Sequence, residues 1–137
     1  MGRLLAIDLG TKRTGLAVTD PLKLIANPLE MVPTHQLLVY LEQYVAREPV
    51  EAFILGLPRN LQGEANEMTP RVLQLKGTLE KKFPVIPVKL VDERFTSKMA
   101  MQSMLAMGSK KRDRKEKTGN LDKISATIIL QSYLASI

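Results

Sequence analysis

Apolar and polar positions fall into blocks that divide the chain into strands and helices. Arg3 to Leu9 holds the run Leu4-Leu5-Ala6-Ile7 before Asp8, the pattern of a buried strand that ends on a carboxylate. Gly10-Thr11-Lys12-Arg13 has turn chemistry, and Thr14 to Thr19 reads as a second strand, so the pair predicts a hairpin. Asp20-Pro21 marks the next turn. Ile25 to Val32 supplies a third strand interrupted by Asn27-Pro28. Thr34 is placed to cap a helix running to Arg47, with Leu37, Leu38, Leu41, Tyr44 and Val45 at helical spacing.

The second half alternates strand and helix. Glu51 to Leu57 is a short strand that stops at Gly56-Leu57-Pro58, and a polar loop follows from Arg59 to Glu67. Thr69-Pro70 starts a helix to Lys82 that buries Val72, Leu75 and Leu79. Val85 to Val91 reads as a strand leading into Asp92-Glu93-Arg94. Thr96 caps a helix through Met107, with Ala100, Met101, Met104 and Leu105 on its buried side, and Gly108 stops it. Ser109 to Gly119 is a basic loop. Asn120 caps a last helix to Ser136 that packs Leu121, Ile124, Ile128 and Leu134 on the sheet. Strands first, then alternation, predict an α/β fold: a mixed central sheet with helices on both faces. There is no repeat or linker, so residues 1–137 are read as one domain.

Composition narrows the chemistry. The chain is 45% hydrophobic, enough for a core and too much for a disordered segment. Its 20 Lys+Arg against 14 Asp+Glu give a formal charge of +6, which favours polyanionic partners such as nucleic acid. With no cysteine there are no disulfides, thiolate zinc sites or cysteine nucleophiles. The single histidine, His35, rules out a mechanism with two histidines as acid and base; it belongs to the first turn of a surface helix. Asp8 arrives too early for a signal peptide, and no apolar run is long enough to cross a bilayer, so a cytoplasmic protein is expected.

Three carboxylates share a context. Asp8 follows the first strand, Glu93 lies just past the strand ending at Val91, and Asp122 falls in the first turn of the final helix. Ligands of open α/β sheets gather beyond the carboxyl ends of strands. A carboxylate at the end of Leu-Leu-Ala-Ile is costly unless it is hydrogen-bonded or metal-bound. Each acid also has a plain structural reading: a turn aspartate for Asp8, a partner of Arg94 or Arg59 for Glu93, a dipole-favoured helix acid for Asp122. Spacing leaves open whether Asp92 or Glu93 points inward. Clustered, such acids suit Mg2+ or Mn2+, which take hard oxygen ligands and leave room for substrate phosphate. Two ions about 4 Å apart activate a water and stabilise the leaving oxygen of a phosphodiester.

Four segments then resemble one family. Ala6-Ile7-Asp8-Leu9-Gly10-Thr11-Lys12-Arg13-Thr14-Gly15-Leu16-Ala17-Val18 looks like the opening of the YqgF/RuvX family. Gly56-Leu57-Pro58-Arg59-Asn60 with Gly63, Asp92-Glu93-Arg94-Phe95-Thr96-Ser97, and Asn120-Leu121-Asp122-Lys123-Ile124-Ser125-Ala126 resemble its later segments, in family order and across essentially the whole chain. The resemblance implies a ribonuclease-H-like fold related to Holliday-junction resolvases. It implies a nuclease that processes the 5′ end of the 16S ribosomal RNA precursor, with resolution of branched DNA as the alternative. Carried to matching positions, Asp8, Glu93 and Asp122 become the catalytic and metal-binding acids. A fourth acid usual in the resolvases is not found here, where Lys123 follows Asp122 and Leu121 replaces the more usual valine.

The phosphate-contacting candidates are Thr11, Lys12 and Arg13 after Asp8, Arg59 after the Gly-Leu-Pro turn, and Arg94 beside Glu93. Lys110, Lys111, Arg112, Arg114, Lys115 and Lys117 of the basic loop would hold the substrate backbone. Partners would be precursor rRNA first, branched DNA second, and the ribosome or its precursors, with the chain as monomer or homodimer. Asp8-Leu9-Gly10-Thr11 also resembles the first phosphate motif of the actin/sugar-kinase superfamily, but no second phosphate loop accompanies it. A non-catalytic binding module would not need all three acids. With no Trp, three Phe and three Tyr, an aromatic base-stacking platform is thin.

Overall fold

A computed structural model describes residues 2–57, 68–92 and 118–136, with side chains of the last helix described from Ser125 onward. Its elements are β1 (Arg3–Asp8), β2 (Arg13–Thr19), β3 (Ala26–Pro33), a 3-10 turn (Thr34–Gln36), α1 (Leu37–Arg47), β4 (Val50–Leu57), α2 (Thr69–Lys82), β5 (Val88–Asp92) and α3 (Thr118–Ser136). The helix read from Thr96 to Met107 and the basic loop Lys110–Lys117 lie outside the described residues.

The five strands form one mixed sheet in the order β3-β2-β1-β4-β5. β1 pairs antiparallel with β2 and parallel with β4, and β5 continues the parallel half. The central strand β1 is buried on both faces, which is why it reads as an unbroken apolar run. Its alternation separates two cores. Leu5 and Ile7 join Phe53, Leu55 and Leu57 of β4 beneath α1 and α2, which contribute Leu37, Leu41, Val72 and Leu79. Leu4 and Ala6 face the other way with Ala17, Ala52 and Ile54, where Ala126, Ile129 and Leu130 of α3 cover them. The small residues Ala6, Ala17, Ala52 and Ala126 leave room for that helix to sit close. Helices thus cover both faces, as the sequence pattern predicts.

Four local readings change. Asn27-Pro28 does not break β3: the register slips between Leu16 and Ala17, Glu30 pairing with Leu16 and Pro28 with Ala17, so Leu29 is accommodated as an irregularity. β3 is terminal in the described sheet, where proline is tolerated. Val85 is not in a strand; it is 89% exposed in a turn closed by Ile86 N–H donating to the Phe83 carbonyl, and β5 begins at Val88. Thr34 does not cap α1, which follows a 3-10 turn and begins at Leu37. The last helix begins at Thr118, two residues before the predicted cap Asn120, so Asp122 is its fifth residue and not in its first turn.

Candidate active site

Asp8 is the last residue of β1, at the carboxyl end of the sheet's central strand, and is partly buried. Strand alternation puts it on the face of Leu4 and Ala6, under α3 and opposite Leu5 and Ile7. Antiparallel pairing sets Asp8 against Gly15, so no side chain on β2 crowds it there. Across β4, the parallel end of the sheet is completed by Val91 and Asp92, paired with Gly56 and Leu57. Val91 shares the α3 face, and Val88 the opposite one. By the same alternation the exposed Asp92 lies off the face of Asp8.

The turn after Asp8 is tightly built. A Cβ on Gly10 would stand 2.2 Å from the Arg13 carbonyl oxygen, so only glycine allows this close return of the chain. The Thr34 hydroxyl donates to the Gly10 carbonyl at 2.8 Å and lies 2.9 Å from the hydroxyl of the fully buried Thr14. The Thr34 N–H donates to the Lys12 carbonyl at 2.9 Å. Held this way, Thr11, Lys12 and Arg13 are all exposed at the end of the sheet where Asp8 lies. Two cations and a hydroxyl beside a carboxylate suit a phosphate group near a cation held by that carboxylate. Sequence reasoning missed Thr34 here. It read the residue through its neighbours in sequence, while its partners lie on the β1–β2 turn and on β2.

His35 is exposed in the 3-10 turn, consistent with a surface residue. Of the other candidates, Glu93, Arg59, Arg94 and the basic residues Lys110, Lys111, Arg112, Arg114, Lys115 and Lys117 lie outside the described residues. Asp122 lies within the backbone of α3, four residues before Ala126, which is fully buried on the Asp8 side of the sheet. Among the described residues no group of three or more acids, histidines or cysteines is assembled for a metal. No helix among them is long and apolar enough to cross a membrane.

A central parallel–antiparallel sheet of this order, helices on both faces and an acid ending the middle strand define a ribonuclease-H-like α/β protein. The fold is similar to that of Thermus thermophilus RuvC, solved in complex with a Holliday junction substrate, with a TM-score of 0.57 and 17% identity over 99% of this chain and 96% of that one. The family model described as "Holliday junction resolvase" (RuvX) matches residues 2–136, and the chain belongs to that family. Full-length relatives agree. A protein of Bacteroides thetaiotaomicron is 54% identical over 99% of this chain and 98% of its own length. One of Porphyromonas gingivalis is 54% identical over 98% of this chain and 96% of its own. Both are named "Putative pre-16S rRNA nuclease".

Proposed function

We propose that the chain is a metal-dependent endonuclease that hydrolyses phosphodiester bonds at the 5′ end of precursor 16S rRNA. The observation that carries the reading is Asp8 at the carboxyl end of the central strand, in a chain about half identical along its whole length to relatives named "Putative pre-16S rRNA nuclease". Asp8 offers hard carboxylate oxygens at a sheet end where phosphate can approach, which fits magnesium or manganese. Glu93 and Asp122 are the other acids in this reading. The placement of Asp92 off the face of Asp8 supports the choice of Glu93 over Asp92.

When bound, the divalent ion would supply Lewis acidity to the phosphoryl oxygen and activate the attacking water. The chain's own residues orient the substrate. The Thr34-braced turn presents Lys12 and Arg13 to a backbone phosphate, and Arg59, Arg94 and the cations from Lys110 to Lys117 extend that interface. These contacts favour any polyanion and position it without reading its sequence.

Resolution of four-way DNA junctions is the second reading, favoured by the family description and by the junction-bound RuvC fold neighbour. Parallel cleavage assays decide between them: a precursor rRNA 5′-end fragment and a four-way junction, each with magnesium, manganese or EDTA. Metal-dependent cutting of the RNA alone supports the proposed substrate. Cutting of the junction alone keeps the chemistry and moves the protein to recombination. Cutting of neither, with binding unchanged in EDTA, would favour a non-catalytic binding module.

A further inference from the structure

A cleft of about 340 Å³ opens between the turn after β1, the start of α1 and the first turns of α2. Leu9, Leu38 and Leu75 are half-buried along it. Leu75 belongs to the apolar stripe of α2 but, unlike Val72 and Leu79, is not fully covered. Gly10 forms part of the wall, two residues after Asp8. The cleft therefore opens at the carboxyl end of β1 but on the α1/α2 face of the sheet, across the strand from the candidate catalytic acid on the α3 face.

Arg71 and Gln74 give this cleft its chemistry. Both are exposed, line it, and lie three apart on α2, hence on one helical face. Arg71 sits in the first turn of α2, which carries no acid. Its positive charge is thus set against the positive end of the helix dipole, the reverse of the stabilising placement. Among the described residues it enters none of the ion pairs, whereas Lys76 further along the same helix pairs with Glu80 at 2.9 Å. A guanidinium reinforced by a helix N-terminus favours an anion, above all a phosphate. Gln74 supplies an amide that both donates and accepts, beside an apolar leucine floor. One phosphate, one flat apolar body and one polar edge describe a nucleotide. A base still stacked in a duplex would not present itself to such a slot.

We propose that this cleft binds one unstacked nucleotide of a single-stranded substrate segment, with its phosphate on Arg71 and its base edge on Gln74. This rests on the nuclease reading and adds to it a preference for substrates with a single-stranded segment that reaches the α1/α2 face of the sheet. The test measures binding of a fluorescein-labelled single-stranded RNA oligonucleotide, and of the same sequence as a full duplex, in EDTA at fixed salt. The proteins are the full chain and its variants R71A, Q74A and K76A. R71A is expected to weaken single-strand binding about tenfold, the scale of one charged hydrogen bond, and K76A far less. Duplex binding should change equally little in both. Q74A should alter the order of affinity among homopolymers of A, C, G and U.

Equal effects of R71A and K76A, or an R71A effect as large on duplex as on single strand, would overturn the proposal, as would a wild-type chain that binds no single strand. Because binding is read in EDTA, it is independent of cutting. Wild-type cleavage with an R71A variant that binds normally removes the cleft alone. An R71A-dependent single-strand preference in a chain that cuts nothing with either metal removes the nuclease reading alone.

Discussion

Thr34 and Gly10 are joined by a 2.8 Å hydrogen bond from the threonine hydroxyl to the glycine carbonyl, across 24 residues of sequence. The same hydroxyl meets that of Thr14 at 2.9 Å, and the Thr34 backbone N–H holds the Lys12 carbonyl. The start of the 3-10 turn before α1 is thereby a brace for the turn that follows Asp8. Thr34→Val keeps the shape and removes the hydroxyl. It should lower the unfolding free energy by about 1–2 kcal/mol, the usual cost of leaving a partly buried acceptor unpaired. Cleavage should fall with it, and Thr34→Ser should restore both. Denaturant unfolding and single-turnover cleavage measured on the same samples check this.

Gly10→Ala meets backbone, not a side chain that can swing away: the added carbon would fall 2.2 Å from the Arg13 carbonyl oxygen. The turn must open to admit it. The expected cost is about 1–3 kcal/mol, as for other overpacked sites, with weaker RNA affinity because Lys12 and Arg13 are displaced. A thermal melt and a binding titration are sufficient. An unchanged affinity would detach this turn from substrate binding.

The β2–β3 connection carries its own titration. The Asp20 carboxylate accepts backbone N–H bonds from Leu22, Leu24 and Ile25 at 3.1, 2.9 and 2.8 Å. The bond from Ile25 is the chief cause holding its pKa below the ordinary value. A carboxyl depressed on folding stabilises the fold above its unfolded pKa of about 3.9 and loses that contribution as pH falls through the folded value. The gap in denaturant midpoint between wild type and Asp20→Ala should therefore be constant near neutrality and shrink below about pH 4. A gap that persisted unchanged at pH 2 would show that the loop does not depend on the charged form.

Much of this architecture is legible in the sequence because its signals are local. The Leu4–Ile7 run, the Thr14–Thr19 segment and the apolar stripe Leu37, Leu41, Tyr44 each reflect burial of neighbouring positions, and each becomes the element it predicts. The misreadings have long-range or backbone causes. Thr34 has the chemistry of a helix cap, yet its hydroxyl is taken by Gly10 and Thr14. Val85 has strand propensity, yet it stands between Pro84 and Pro87, where the chain turns before pairing with β4. Pro28 looks like a strand breaker and is tolerated in β3 at the end of the described sheet. The position of Asp8 at the end of the central strand was readable because the apolar run stops on a carboxylate. The face on which Asp92 lies was not, because it depends on the register of β5 against β4.

The proposed basic interface predicts a salt signature. Replacing Lys110, Lys111 and Arg112 together with Ala should weaken RNA binding and reduce the slope of log affinity against log salt by about 2–3, near 0.7–0.9 for each phosphate no longer neutralised. Titrations of the full chain and the triple variant from low to moderate salt give both slopes. An unchanged slope would remove these three residues from the interface.

The central claim is that Asp8 anchors metal-dependent hydrolysis at the end of β1. The most direct measurement is the cleavage rate of a precursor 16S rRNA 5′-end fragment by wild type and Asp8→Asn across magnesium and manganese titrations, with circular dichroism and RNA affinity in EDTA taken on both. The nuclease reading predicts metal-dependent cutting by the wild type, none above background by the variant at any metal concentration, and matching fold and affinity. Cutting by Asp8→Asn at the wild-type rate would contradict it.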